Sequence, residues 1–176
     1  DIVFETSLST DRVPSLEDHR VDGQPMAPAA LFVELMLESA VRLGLRGVDL
    51  ENLVFQAPLI LAPGDTRTVQ TVLNGTRGDY EVRVLSAAAV DSDDDVEWTC
   101  HVTGRMSVPT SLGETPDANA GAAVRSTERE VAGRDYYEKL AVRGIDIGDR
   151  FRAISRLWVG PAEAAADLSI PPDADH

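Results

Sequence analysis

His19, Gly23 and Pro28 stand in the stretch H-R-V-D-G-Q-P-M-A-P with the spacing H-x-x-x-G-x-x-x-x-P. Histidine is the side chain whose unperturbed pKa lies near the operating pH, so it can take up and release a proton under ordinary conditions. Pro28 suits a first helical position, where the missing N–H costs nothing and φ is already helical. Behind it runs A-A-L-F-V-E-L-M-L-E-S-A-V-R-L, the helix that must position the motif. From Ala29 to Leu43 only Glu34, Glu38, Ser39 and Arg42 are polar. The three charged ones recur at four-residue steps on one narrow stripe, which predicts a helix covered on nearly all other sides. At roughly 22 Å it is too short for a bilayer, and its charges argue against one. A sheet wrapped around it is the economical way to bury it. His19 then sits at the mouth of an apolar site, beside helix N–H groups that suit developing negative charge.

The strands that would wrap this helix follow from alternation and turn signals. Residues 2–8 read as a strand and residues 9–18 as a loop containing Pro14. Gly44 and Gly47 stop the helix. Residues 53–61 are an apolar run demoted at Pro58 to an edge or bulge. Residues 66–73 alternate, and Asn74-Gly75 with Gly78-Asp79 marks a connection. In residues 80–90, Tyr80, Val82, Val84 and Ser86 share one face. In residues 96–108, Trp98, Cys100, Val102 and Gly104 share one, which sends His101 outward to solvent. Residues 109–125 are small, polar and without periodicity, as a linker would be. Beyond it come a short helix over residues 135–143 closed by Gly144, strands over 151–159 and 164–170, and an end at Pro171-Pro172.

The spacing of His19, Gly23 and Pro28, the L-E-D-H lead-in and the helix resemble the dehydratase domain of modular type I polyketide synthases. Residues 55–61 (F-Q-A-P-L-I-L) are similar to that family's second strand, and residues 136–158 to the start of its second half. The resemblance implies an α+β double hotdog, two sheet-wrapped helices side by side in one chain. It implies an N-terminal hotdog over 1–108, a linker over 109–125 and the beginning of a second hotdog over 126–176. The first hotdog is expected complete and the second truncated, because no second long apolar helix follows the linker.

The same resemblance implies a hydro-lyase that eliminates water from a β-hydroxyacyl thioester to give an enoyl thioester, without a cofactor. His19 would be the general base, Gly23 would lie beside the thioester, and Pro28, Gly148 and Phe151 would complete the substrate site. The implied partners are an acyl carrier protein bearing a phosphopantetheine-linked polyketide, neighbouring synthase domains and a second copy in a homodimer. The family's acid is an aspartate in a D-x-x-x-Q or D-x-x-x-H setting, and nothing up to His176 matches it. A second segment supplying that aspartate is therefore expected. The family's G-Y-x-Y-G-P-x-F motif stands here as Gly144-Ile145-Asp146-Ile147-Gly148-Asp149-Arg150-Phe151, without its tyrosines and proline, and Ala29 replaces a common glycine. These departures keep three rivals in view: a cyclase, a double-bond isomerase, and an inactive structural domain on the same scaffold.

Composition narrows the remaining classes. A net charge of −14 argues against nucleic acid and anionic membranes, both of which call for basic patches. Docking of an acidic carrier protein would need a local basic patch for the same reason. The single cysteine, Cys100, excludes an internal disulfide and a cysteine zinc site, and fits a reducing cytoplasm. An acidic, strand-like N-terminus is no signal peptide, and the start at Asp1 without a methionine reads as a piece of something longer. Three scattered histidines make no metal site; His176 is terminal. Residues 91–95 (D-S-D-D-D) mimic a calcium loop, but Val96 and Val102 fall where glycine and glutamate belong, so a solvated hairpin tip is expected. Glu34 and Glu38, on the stripe with Arg42, read as an exposed row rather than as acid or base.

Overall fold

The computed structural model describes residues 1–88, 96–109 and 129–169. In chain order come β1 (Ile2–Leu8), a 3-10 turn (Pro14–Asp18), β2 (His19–Val21), β3 (Gln24–Pro25) and α1 (Ala29–Arg42). Then follow β4 (Asp49–Phe55), β5 (Arg67–Thr76), β6 (Asp79–Ala88) and β7 (Thr99–Ser107). The rest comprises β8 (Arg129–Ala132), α2 (Gly133–Ala141), β9 (Ile145–Ile147), a 3-10 turn (Asp149–Phe151), β10 (Ile154–Val159) and β11 (Ala164–Leu168). The chain groups into two compact units. One holds residues 1–16 and 25–112, the other residues 17–24 and 113–176. Residues 110–125 of the expected 109–125 linker, residues 91–95 where a hairpin tip is expected, Pro171-Pro172 and His176 lie outside the described residues.

The first unit is an antiparallel sheet in the order β1-β5-β6-β7-β4 with α1 on one face. Phe32, Met36 and Ala40, one turn apart, form the buried ridge of the helix. They join Val69, Leu73, Val82, Val84, Val102 and Met106 of the sheet in one core. Ser39 is buried there too, and its hydroxyl donates to the Leu35 carbonyl at 2.7 Å, which satisfies the polar atom within the helix. Glu34 and Glu38 lie outside, and Glu38 pairs with Arg42 at 2.8 Å.

Three readings are corrected here. The helix is covered less completely than its composition predicts: Ala29, Ala30 and Val41 are exposed, while Leu35 and Leu37 are half-buried. One sheet touches one side of a cylinder about 10–12 Å across, so apolar side chains remain on the flanks. The β5–β6 hairpin turns at Arg77-Gly78, not at Asn74-Gly75. Both turn residues have positive φ, 58° and 82°, and the flanking pair is Thr76 with Asp79. That mirror-image turn matches the twist of the paired strands, so the ladder runs on to the tip.

The third correction is His101, which is buried at 2 % exposure. Strict alternation fails because the β6–β7 ladder passes from Val84 opposite Val102 to Leu85 opposite Cys100, leaving His101 as the extra residue of a bulge. His101 and Val102 therefore both turn inward. Nδ1 donates to the Ala57 carbonyl at 3.0 Å, Nε2 accepts from the Ser86 hydroxyl at 2.7 Å, and the ring stacks on Phe32 at 5.8 Å. Burial holds the imidazole below its ordinary 6.5, against the opposing pull of its bond to Ala57. Folding thus favours neutral His101. Its stabilisation is complete above about pH 6.5 and is lost as pH falls below it. Urea melts between pH 7.5 and 5 should show a steeper loss for the native chain than for His101→Gln; parallel curves would count against this.

The second unit has two small antiparallel sheets, β11-β10-β8 and β3-β2-β9. Its helix α2 presents Tyr137 inward, and the phenolic oxygen accepts the Ile154 N–H at 3.0 Å. Gly133 begins α2 because a Cβ there would lie 2.0 Å from the Ile154 carbonyl oxygen. Trp158 of β10 is buried beneath the Arg156 guanidinium, which stands 5.3 Å from the ring centre. Among the described residues, no helix is long and apolar enough to cross a membrane.

Candidate active site

His19 belongs to the second unit, on β2, ten residues before the first residue of α1. Its strand is short and has no alternating pattern, so pairing holds it: His19 lies opposite Ile147, Arg20 opposite Asp146 and Val21 opposite Ile145. Both ends of this ladder are sealed through backbone groups. The Asp22 N–H donates to the Gly144 carbonyl at 2.7 Å, and the Gly148 N–H donates to the Asp18 carbonyl at 2.6 Å. Arg20 braces the near side. Its Nε donates to the Glu17 carbonyl at 3.1 Å and its Nη1 to the Gly23 carbonyl at 3.0 Å, and it pairs with the Glu17 carboxylate.

The two glycines of G-I-D-I-G-D-R-F have distinct reasons to lack a side chain. Gly144 has φ of +80°, and a Cβ there would meet the Asp22 carboxylate oxygen at 2.3 Å. Gly148 has an ordinary φ of −74°, but a Cβ would come within 2.5 Å of Asp18 Cγ. From Gly148 the chain tightens into the Asp149–Phe151 turn, with the Phe151 N–H donating to the Gly148 carbonyl at 3.0 Å. The Asp18 carboxylate accepts the Arg150 N–H at 3.3 Å, and the Arg152 Nε donates to the Ile147 carbonyl at 2.6 Å. This turn sets Phe151 edge-on to the half-buried His19, ring centres 6.4 Å apart and planes at 77°.

The fold therefore brings together His19, Gly148 and Phe151. Gly23 lies in the same unit, at the Asp22-Gly23 turn after β2, where φ is 50° and then 80° and nothing crowds the glycine within 4 Å. Pro28 lies in the first unit, as the N-cap of α1 rather than its first helical residue, with no side chain capping the first turn. Beside that turn a groove of about 260 Å³ is walled by Met26, Ala29, Phe32, Phe55, Ala57 and Pro58. Next to it residues 25–27 are bonded to residues 59–61: Ala27 N–H to Leu59 O at 2.9 Å and Leu61 N–H to Pro25 O at 3.0 Å. Sequence reasoning missed Asp18 as the residue that organises the 148–151 turn. The available signal was its position next to His19 together with a glycine that needs no positive φ.

Gly148→Ala should cost about 1–3 kcal/mol, because the new methyl must displace Asp18 and with it the end of the ladder. Denaturant unfolding checks this; an unchanged midpoint would mean that Asp18 moves aside freely.

A family model described as "Polyketide synthase dehydratase domain" matches residues 1–87, and one described as "Polyketide synthase dehydratase N-terminal domain" matches residues 115–176. Erythronolide synthase EryA2 of Saccharopolyspora erythraea is 31% identical over 98% of this chain, which spans 5% of that protein. Mycoketide-CoA synthase of Mycobacterium tuberculosis is 33% identical over 98% of the chain, corresponding to 4% of its length. The dehydratase domain from the CurJ module of curacin polyketide synthase superposes with a TM-score of 0.80 at 27% identity, covering 97% of this chain and 57% of that one. An inactive histidine-to-phenylalanine mutant of the same dehydratase gives 0.78 at 27%, covering 97% and 57%. The fold is thus the α+β double hotdog of these domains, of which the chain spans somewhat more than half. With two family models along most of its length, this chain belongs to the dehydratase domains of modular type I polyketide synthases.

Proposed function

We propose that this chain is the part of a polyketide synthase dehydratase that carries the general base, and that the reaction is syn elimination of water from a carrier-bound β-hydroxyacyl thioester. His19 accepts the α-proton, negative charge gathers on the thioester oxygen, and the C–O bond to the β-hydroxyl breaks as that oxygen is protonated and leaves as water. The products are an enoyl thioester and water. The observation that carries this reading is the placement of His19: a half-buried imidazole on a strand sealed at both ends, with Gly148 and Phe151 beside it. The inactive histidine mutant of the CurJ dehydratase supports the role. Gly23, in the same unit as His19, leaves open space for the thioester arm.

The proton donor for the leaving hydroxyl is not assigned to a residue of this chain. Glu34 and Glu38 are exposed, and Glu38 is engaged by Arg42. The reading extends to the division into a hotdog over 1–108, a linker and a second hotdog from 126. It also extends to a homodimeric cytoplasmic synthase whose neighbouring domains and acyl carrier protein deliver the substrate. Incubation with a β-hydroxyacyl pantetheine thioester, followed by mass spectrometry and proton NMR, tests it. Loss of water with a new α,β-alkene is expected. A ring ether would identify a cyclase, a shifted alkene an isomerase, and unchanged substrate in every length of polypeptide tried would leave a structural domain; each outcome would overturn the dehydratase reading.

A further inference from the structure

Proline is missing from the turn that carries Phe151. The motif G-Y-x-Y-G-P-x-F has one where this chain has Asp149, and a proline there would fix φ and reduce the turn's freedom. Arg152 supplies a different restraint. Its Nε donates to the Ile147 carbonyl at 2.6 Å, and its Nη1 pairs with the Asp149 carboxylate at 3.3 Å. Its guanidinium carbon stands 5.7 Å from the centre of the Tyr137 ring. Tyr137 is a fixed platform, buried and held through its phenolic oxygen by the Ile154 N–H. The ion pair alone would hold little, since Asp149 is almost wholly exposed. Here, however, one planar group engages the residue opposite His19, the first residue of the turn and α2 together, which a lysine cannot do. Arg152 directly follows Phe151, whose ring stands edge-on to His19, and all of these residues belong to the second unit.

We propose that Arg152 is a positioning residue for the elimination: it stands in for the missing proline, closing residues 147–152 so that Phe151 holds the His19 ring in its working orientation. This rests on His19 as the base, but the orientation of the ring is readable without turnover. In the 176-residue chain, proton NMR follows the His19 ring resonances, which the Phe151 ring displaces; Phe151→Leu marks their position without it. Arg152→Met keeps hydrocarbon over Tyr137 and loses the donors. It should move the resonances most of the way to that mark, with the near-ultraviolet circular dichroism unchanged. Adding Asp149→Pro should return them to their native values. Asp149 opens the turn, where an N–H has no partner within it, and Gly148, at φ −74° and ψ 171°, already has the extended backbone that a following proline demands. A merely structural defect at position 152 would not be cured by a proline elsewhere in the turn. In a polypeptide that performs the elimination, Arg152→Met should lower kcat at least about tenfold with KM within about twofold, as a misplaced group does. The double variant should recover kcat to within about threefold of native. Native resonances or native kcat in folded Arg152→Met, or a loss that Asp149→Pro does not repair, overturns the proposal. Should Arg152→Met not fold, Arg152→Lys takes its place, with the same expected shift and the same refutation. Resonances that move and recover as expected in a polypeptide never found to dehydrate would sink the dehydratase reading and leave the hold on the ring standing.

Discussion

Replacing His19 by alanine should lower dehydration by at least about 10²-fold, the low end for a positioned acid or base, with the thermal melt almost unmoved. Two parts of the structure separate these effects. The β2–β9 ladder and its seals at Gly144 and Gly148 are backbone interactions, which any residue at position 19 can make. The imidazole itself is half-buried, so its removal leaves no large cavity. Alanine removes the proton acceptor and, among the imidazole's contacts, the edge-on one with Phe151. Steady-state kinetics with a β-hydroxyacyl thioester, in a length of polypeptide that performs the elimination, provide the check. A variant turning over near the native rate would exclude His19 as the base, and a large drop in melting temperature would make it a structural residue instead.

The second large effect belongs to Met36, the fully buried centre of the α1 ridge. Met36→Ala should destabilise the first unit by about 2–5 kcal/mol, the sum of lost transfer energy and a cavity that the sheet cannot close. Leu35 and Leu37, half-buried on the flanks, should cost less, and Glu38→Ala under about 0.5 kcal/mol, since its partner Arg42 is likewise exposed. Denaturant melts of these four variants would rank the helix faces directly. Equal small losses throughout would mean that α1 does not seat on the sheet.

The parts of the fold legible in the sequence are those where one local signal decides. Pro28 and the apolar run locate α1 to within a residue of its end at Arg42, and alternation locates β1, β5 and β6 with Tyr80, Val82, Val84 and Ser86 inward. Legibility stops where a tertiary partner decides. His101 was misplaced because one bulge residue inverts parity, and no residue type there announces a bulge. Strands β2, β8 and β9 hold only three or four residues each, too few for a period to register. At the site, the family resemblance pointed to His19, Gly148 and Phe151 singly, while their proximity comes from a ladder between segments far apart in the chain. Pro28 shares the motif with His19 yet falls in the other unit, because the chain passes from one unit to the other between Gln24 and Pro25.

That long-range ladder also constrains how the protein can be made. Asp18 and Arg150, joined by a hydrogen bond, are 132 positions apart. At about 5–20 residues per second, a ribosome delivers the first of them many seconds before the second. Throughout that interval α1 and the sheet of the first unit can collapse on their own, while β2 has only the two-residue β3 beside it. The histidine segment is therefore the last piece of the early chain to find its place, and the side that β9 will cover waits as an edge open to the wrong neighbour. A nascent chain that stalls or is clipped between the two segments would hold a folded helix and sheet, contain every atom of His19, and still lack the seat that gives that residue an orientation.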